Sequence, residues 1–327
     1  MQNTTLGPFA GVSRLTLGGG GLGEVWGETT SAEAIATLNA AVDAGINLID
    51  TAPLYKNCEQ VIAAAFGGRL PPGVRITSKV YLGSPPAEEV AARIEASLTA
   101  TLAAMKLDHL DLYFLHTNIR PDDYVYARRA SRQDTFSTRL SLYHDAVVPT
   151  FERLQAQGRI GAWGITATGV PPTIRQVLAE TPHPGVVQAI TNLLDSAGDM
   201  LAFDEPPQPR AIIEDSVRRG IGVMGIRAVQ AGALTTALDR EMHPKSADLA
   251  DYVRAAPYRA LCAEIGEDPA VIAHRYALHI QGVDTLVLGV KNRAELRQCL
   301  AAEAAGPLPA ELTARIDALG LRAPQPS

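Results

Sequence analysis

Short apolar segments alternate with helical segments along most of this 327-residue chain, and that alternation constrains the fold more than any other feature. Strands that alternate with helices are typical of a parallel sheet. Eight such units in about 300 residues fit one closed (β/α)8 TIM barrel, an α/β fold, better than an open sheet. The first predicted strand begins at residue 15, and the other seven cover residues 47–50, 74–80, 110–116, 161–166, 186–191, 222–227 and 285–289.

The helical segments carry start signals and apolar spacing of their own. Thr30 and Glu33 form a capping box, Ser84 is expected to cap a long helix that opens with Pro85, and Val90 and Ile94 begin its apolar stripe. We expect all 327 residues (1–327) to form a single domain. The predicted helices are residues 30–44, 59–66, 85–105, 138–157, 172–180, 209–219, 257–265, 269–280 and 293–302.

Composition excludes several classes of protein. Hydrophobic residues make up 46% and charged residues 20%, as in ordinary globular proteins, and a net charge of −6 argues against a nucleic-acid surface. No apolar run approaches the ~20 residues of a membrane span, and the N-terminus lacks a signal-peptide pattern. Three scattered cysteines fit the reducing cytoplasm. No cluster of His, Cys and acidic residues predicts a metal site.

Ionisable side chains stand at the ends of three consecutive predicted strands: Asp50, Lys79 and His116. Pro53 forbids continuation of the first of these strands, and Tyr55 follows in the loop. In a TIM barrel the carboxyl ends of the strands meet at one mouth, where active sites lie. We therefore expect these four side chains to meet there and to form an acid-base site.

The chemistry of the four residues points to carbonyl reduction. A phenol has a pKa of about 10, and the Lys79 ammonium would lower the pKa of Tyr55. Asp50 would hold Lys79, and His116 would donate a hydrogen bond to a substrate oxygen or help to pass a proton. Since no side chain supplies hydride, a nicotinamide cofactor is needed. Taken singly, Asp50 and Lys79 also fit a structural ion pair, and His116 also fits a satisfied semi-buried histidine.

Three regions are expected to border the site. The glycines of residues 15–23 allow a flat ligand to approach the backbone, although no helix is expected to follow at once, so a Rossmann fingerprint is excluded. The connections 117–137 and 228–256 are long enough to overhang the mouth. The first either grips an anionic or aromatic substrate or is a solvated excursion, and its arginines and aromatics are Arg120, Arg128, Arg129, Arg132, Tyr124, Tyr126 and Phe136.

Two motifs, GINLIDTAPLYKNCEQ and LDHLDLYFLH, resemble signatures of the aldo-keto reductase family, and the resemblance extends from about Leu15 to Leu300. It implies a (β/α)8 barrel with Asp50, Tyr55, Lys79 and His116 as catalytic residues, of which Tyr55 is the general acid-base. It also implies a nicotinamide cofactor extended across the barrel mouth. The substrate contacts then expected are Trp26, Tyr55 and His116.

Cofactor contacts follow from the resemblance by position. Gly20, Gly21 and Asp50 match residues near the nicotinamide ribose, and Thr166 and Gln188 match residues that bind the carboxamide. The pyrophosphate is expected beside Arg227, Ala228 and Val229. The adenosine end is expected along Gly289 to Cys299, a segment that includes Lys291, Arg293 and Glu295.

The sequence also departs from the family pattern. Ala167 removes one expected carboxamide contact, and Thr191 is interpreted as replacing the aromatic residue that stacks on the nicotinamide. Glu295 and Cys299 replace residues usual at the adenosine end. A carboxylate repels a 2′-phosphate, so Glu295 favours NAD(H), whereas the resemblance favours NADP(H). Lys291, Arg293 or Arg297 is expected to offset this repulsion.

The sequence therefore predicts a cytoplasmic NADP(H)-dependent oxidoreductase that interconverts a small-molecule carbonyl and an alcohol. The substrate class is an aldehyde, ketone or sugar, and neither nucleic acid nor membrane is an expected partner. One alternative is an NAD-linked aldose or lactol dehydrogenase with the same site. The other is a nicotinamide-binding regulatory protein of low turnover. The sequence does not specify the oligomeric state.

Overall fold

The computed structural model describes residues 1–323, so the last four residues of the predicted domain lie outside the described part. Within it the chain forms short strands joined mostly by helices. The strands are β1 (Asn3–Leu6), β2 (Phe9–Ser13), β3 (Leu15–Gly18), β4 (Leu48–Asp50), β5 (Arg75–Val80), β6 (Leu110–Leu115), β7 (Asn118–Arg120), β8 (Ser137–Arg139), β9 (Ile160–Thr166), β10 (Val186–Ile190), β11 (Gly222–Ile226) and β12 (Thr285–Leu288).

Eight parallel strands close into a barrel in the order β3-β4-β5-β6-β9-β10-β11-β12. This confirms the (β/α)8 prediction, and each predicted strand boundary falls within one residue of the observed one. The register pairs Asp50 with Thr77 and Lys79 with Phe114. Since neighbouring strands run parallel and in register, the strand-end residues are delivered to the same mouth.

Helices surround the barrel and bury one face against it. They are α1 (Gly19–Leu22), α2 (Ser31–Asp43), α3 (Cys58–Phe66), α4 (Ala87–Met105), α5 (Gln133–Phe136), α6 (Leu140–Leu142), α7 (Val148–Ala156), α8 (Pro171–Ala179), α9 (Pro209–Arg218), α10 (Ala247–Arg254), α11 (Ala256–Glu264), α12 (Pro269–Leu278), α13 (Arg293–Ala304) and α14 (Ala310–Ala318). Among residues 1–323 no helix is long and apolar enough to cross a membrane.

The barrel interior is closed at the amino end by the β1–β2 hairpin, which the sequence analysis missed. Leu6 and Val12 from the hairpin join apolar side chains from the barrel strands in one buried cluster. A Gly7–Pro8 turn between two short runs was the available signal. The hairpin leaves the opposite, carboxyl mouth as the open end. The barrel strands contribute Leu48, Leu112, Phe114, Ala162, Val186 and Met224 to this cluster.

Three local expectations were wrong. The one-turn helix α1 does follow β3 at once, and its Gly21, which lacks a Cβ, packs closely against the backbone of Val290. Ser84 does not cap α4, since its hydroxyl donates to the Ser137 carbonyl at 2.7 Å. Residues 138–139 are strand rather than helix. The following helix contains a π turn, Tyr143–Val147, just before Pro149, whose ring nitrogen cannot donate the regular helical hydrogen bond.

Candidate active site

A cavity of about 460 Å³ opens at the carboxyl ends of the barrel strands, a size typical of small-molecule sites (about 300–1,000 Å³). Most of the residues predicted to contact cofactor or substrate line it. These are Gly20, Trp26, Asp50, Tyr55, His116, Thr166, Gln188, Arg227, Ala228, Val229, Gly289, Lys291 and Glu295.

Three of the four predicted catalytic side chains form one hydrogen-bonded chain. Lys79 Nζ donates to Asp50 Oδ2 at 2.7 Å, to the Thr51 carbonyl at 2.9 Å and to Tyr55 Oη at 3.2 Å. Lys79 is fully buried and Asp50 is 2% exposed. The Tyr55 hydroxyl is thus fixed beside an ammonium group at the cavity wall, as the strand-end pattern predicted.

Asp50 is held by more than its ion pair. Thr77 Oγ1 and Gln188 Nε2 each donate to Asp50 Oδ1 at 2.7 Å. Both oxygens of the buried carboxylate are therefore satisfied, as a charge without water requires. Gln188 is predicted to bind the carboxamide. Its side-chain amide nitrogen binds Asp50, so its side-chain oxygen is the atom that can accept from a ligand.

His116 lies between two aromatic rings. Tyr55 and Tyr81 each make an edge contact with it, with ring centroids 6.1 Å apart in both pairs. The sequence analysis missed Tyr81, which follows β5 and is 42% exposed. Its place two residues after Lys79, just beyond the end of a barrel strand, was the available signal.

Burial and charge set the protonation states of the site. Burial alone would lower the pKa of Lys79, but Asp50 and Tyr55 outweigh it and raise that pKa, so the ammonium persists. Loss of water raises the pKa of Tyr55, and the Lys79 ammonium opposes this only partly. Lys79 therefore acts on the pKa of Tyr55 in the expected direction, but the loss of water outweighs it and the pKa is raised. Burial, and secondly Lys79, lowers the pKa of His116 to about 3, which leaves the imidazole neutral.

The loop after β11 has a strained backbone and is bound by an ion pair to α10. The sequence analysis missed this helix. Arg227, Gln230 and Ala231 all have positive φ angles (61°, 46° and 51°), a costly conformation for non-glycine residues. Arg227 forms a buried ion pair with Asp248 of α10. Its guanidinium is thus used within the protein, and a ligand would meet the backbone of this loop.

Thr191, interpreted from the sequence as standing at the nicotinamide-stacking position, does not line the cavity. Two predicted cofactor contacts, Gly21 and Arg293, also lie outside the cavity wall. Thr191 is fully buried, and its hydroxyl donates to the Ile226 carbonyl at 3.2 Å, while Ile226 itself lines the cavity. Gly21 packs against Val290, and Arg293 forms an ion pair with Glu33 outside the cavity. The cofactor contacts of Gly21 and Arg293 therefore remain predictions, and neither residue lines the cavity.

The loop 117–137 is folded around a buried part, while Arg128, Arg129 and Arg132 are exposed to solvent. Arg120 is buried and pairs with Asp134 at 2.8 Å, and the Tyr126 ring packs against Tyr124 and Phe136 at centroid distances of 4.9 Å. These groups stabilise the loop itself.

Trp26 lies against Gly20 and Gly289, where a Cβ on Gly20 would come within 2.7 Å of the indole nitrogen.

Two known enzymes are similar to this chain in sequence. L-galactose dehydrogenase from Arabidopsis thaliana is 23% identical over 299 residues, which covers 89% of this chain and 84% of that protein. Methylglyoxal reductase YeaE from Escherichia coli strain K12 is 31% identical over 134 residues, which covers 40% of this chain and 38% of that protein.

Solved structures agree with the barrel. The holo form of aldo-keto reductase AKR11C1 from Bacillus halodurans has a TM-score of 0.71 at 22% identity and covers 98% of this chain and 96% of its own. Glycerol dehydrogenase AKR11B4 from Gluconobacter oxydans has a TM-score of 0.66 at 18% identity, with coverage of 97% and 94%. The family model of aldo/keto reductases matches residues 14–320. The chain therefore belongs to the aldo/keto reductase family, whose members use nicotinamide cofactors, and it is an oxidoreductase.

Proposed function

We propose that this oxidoreductase interconverts a small-molecule carbonyl and an alcohol with a nicotinamide cofactor, and that Tyr55 is its general acid-base. The observation that carries this is the Tyr55 hydroxyl, at the cavity wall and 3.2 Å from a buried ammonium. A phenol placed there can give up a proton and leave a stabilised phenolate. NADP(H) is the nucleotide that the family resemblance favours.

The cavity fits the nicotinamide end of such a cofactor. Thr166 Oγ1 is buried on the cavity wall and has no hydrogen-bond partner among residues 1–323. The side-chain oxygen of Gln188 accepts no hydrogen bond from the described residues, so with Thr166 it offers a donor and an acceptor, which a carboxamide requires. Gly20 and Gly289 line the same cavity and lie against the Trp26 indole. When bound, the cofactor would supply the hydride that no side chain can provide.

The proton comes from Tyr55 in the reducing direction. Because its pKa is raised, Tyr55 is protonated at neutral pH and can donate to the alkoxide oxygen as negative charge develops there. Lys79 stabilises the phenolate that remains, and Asp50 keeps Lys79 charged and in place. In the oxidising direction the same phenolate accepts the proton of the alcohol.

His116 orients the carbonyl. A neutral imidazole has one N–H, which can donate to the substrate oxygen while Tyr55 supplies the proton. Its edge contacts with Tyr55 and Tyr81 hold the ring at the mouth. Excluding a charged imidazolium also avoids repulsion with the neighbouring Lys79 ammonium.

These protonation states predict the pH dependence. Between about pH 6 and 9, kcat for reduction should stay flat, because Tyr55 remains protonated and His116 remains neutral. kcat for alcohol oxidation should rise with pH over the same range, because the phenolate fraction grows. Initial rates in both directions at saturating nucleotide measure this. An inflection of the reduction rate near the ordinary histidine pKa of about 6.5 would contradict the role given to His116.

A single hydroxyl tests the carboxamide assignment. Replacing Thr166 with valine should weaken binding of the reduced nucleotide about threefold to tenfold, the worth of one hydrogen bond. Fluorescence titration with the reduced nucleotide measures the Kd. Thr191→Val is the matched control, since this buried threonine lies outside the cavity wall and its loss should leave the Kd unchanged. Equal affinities for Thr166→Val and wild type would remove Thr166 from the site.

An aldose or lactol dehydrogenase is the second candidate. L-galactose dehydrogenase matches 89% of the chain, whereas the methylglyoxal reductase match covers 40%. A panel of aldehydes with reduced nucleotide and of aldoses with oxidised nucleotide separates the two, with nicotinamide absorbance as the readout. Tight nucleotide binding without turnover on any member would support a regulatory role instead.

A further inference from the structure

We propose that the adenosine end of this cleft selects NAD(H) over NADP(H), because carboxylates occupy the cations that a 2′-phosphate would need. The proposal rests on the proposed nicotinamide-dependent function and names the nucleotide. It differs from the expectation drawn from resemblance, since it depends on the charges that this chain brings to the cleft wall.

Lys291 is the cation on this wall at the start of the 291–299 segment, and it is already paired. Its ammonium forms an ion pair with Asp239 and lies 3.4 Å from Glu295 Oε1. The Lys291 side chain is 16% exposed. Burial alone would lower the pKa of Lys291, but the two carboxylates raise it, so the ammonium remains charged. An incoming phosphate would have to displace a carboxylate.

Glu295 is not free to turn away. The Lys291 N–H donates to Glu295 Oε2 at 2.8 Å, and the Asn292 side-chain amide donates to Glu295 Oε1 at 3.3 Å. The Glu295 N–H in turn donates to Asn292 Oδ1 at 2.9 Å, which completes the cap of α13. The carboxylate is therefore fixed at the helix end where an anion would otherwise be attracted.

The other cations near this end are also satisfied or lie elsewhere. Arg240 pairs with Asp239 at 3.1 Å and donates to the Ala231 carbonyl at 2.7 Å. Arg293 binds Glu33 outside the cavity through contacts of 2.9 and 3.2 Å, and it holds the pKa of Glu33 down at about 2. Arg297 is exposed and does not line the cavity.

The balance of charge on this wall is therefore negative. Three acidic side chains line it and two basic ones: Asp239, Asp268 and Glu295, and Lys291 and Arg240. A 2′-phosphate carries about −1.5 to −2 charges near neutral pH and would face these carboxylates with no uncommitted cation on the described wall. A ribose 2′-hydroxyl is neutral and can donate to a carboxylate, the contact by which acidic residues recognise NAD in other folds.

Two titrations test the proposal without turnover. Fluorescence titration of the wild-type protein should give a Kd for NADH at least about tenfold below that for NADPH. Calorimetry with AMP and with adenosine 2′,5′-bisphosphate should show the same preference in fragments that lack nicotinamide. A lower Kd for NADPH than for NADH would overturn the proposal and leave the proposed function standing. Absence of binding by either nucleotide would overturn both.

Removing the carboxylates should reverse part of the preference. In the double variant Asp239→Asn, Glu295→Gln, the Lys291 ammonium becomes available, so the ratio of the NADPH Kd to the NADH Kd should fall about tenfold or more. Glu264→Gln is the control, since it removes one carboxylate from an exposed ion pair with Arg315 remote from the cleft. An unchanged ratio in a folded double variant, or the same change in Glu264→Gln, would contradict the proposal.

Discussion

Replacement of Tyr55 by phenylalanine should lower kcat for carbonyl reduction by about 10²- to 10⁴-fold, the usual worth of a positioned general acid. The ring and its edge contact with His116 remain, and only the hydroxyl that meets Lys79 Nζ at 3.2 Å is lost. The Kd of the reduced nucleotide should change by less than about twofold, because the missing group acts on the substrate oxygen. Steady-state rates and fluorescence titration measure both quantities.

Tyr81→Phe is the matched control for this experiment. Tyr81 contacts His116 with the same centroid distance as Tyr55 does, 6.1 Å, but the described hydrogen bonds of Lys79 do not include it. Its loss of a hydroxyl should therefore have a small effect on kcat. Wild-type rates in Tyr55→Phe, or an equally large loss in Tyr81→Phe, would remove Tyr55 from the role of proton donor.

Replacement of Lys79 by methionine should damage both catalysis and stability. The variant leaves Asp50 buried without its cation, and breaking a buried ion pair in this way typically costs about 3–5 kcal/mol of unfolding free energy. kcat should fall as in Tyr55→Phe, because nothing then stabilises the phenolate. Urea unfolding and steady-state rates give the two values.

A double variant separates the two effects of Lys79. Asp50→Asn with Lys79→Met removes both charges, so stability should recover in part while kcat stays low. Arg315→Met is the control for a surface pair, since the Arg315–Glu264 contact is exposed and should be worth less than about 1 kcal/mol. A double variant as unstable as Lys79→Met alone would show that the unpaired carboxylate is not the cause.

The barrel and the meeting of Asp50, Lys79 and His116 could be predicted because they follow from topology. Parallel strands in a closed barrel bring every strand end to one mouth, so the order of elements is sufficient. The β1–β2 hairpin and α14 were missed because they lie outside the alternation of strands and helices that predicts the barrel. For α14, Pro309 just before the helix and Gly320 just after it were available signals.

Burial and loop contacts could not be predicted in the same way. The pKa of Tyr55 is raised because its hydroxyl loses water, a quantity that residue types at strand ends do not reveal. Asp239 reaches Lys291 across 52 positions of sequence, and that contact depends on the conformation of a long loop. The placement of Thr191 outside the cavity wall, which Ile226 lines instead, could not be predicted because positional matching does not show which of two neighbouring strand ends faces the cavity.

The central claim is that the Tyr55 phenol and the His116 imidazole share one substrate oxygen. A crystal structure with oxidised nucleotide and an unreactive carbonyl analogue tests it most directly. We expect the analogue's oxygen within about 2.6–3.2 Å of both Tyr55 Oη and a His116 ring nitrogen, as acid-base catalysis requires. An analogue bound with its oxygen turned away from Tyr55, toward solvent or another side chain, would contradict it.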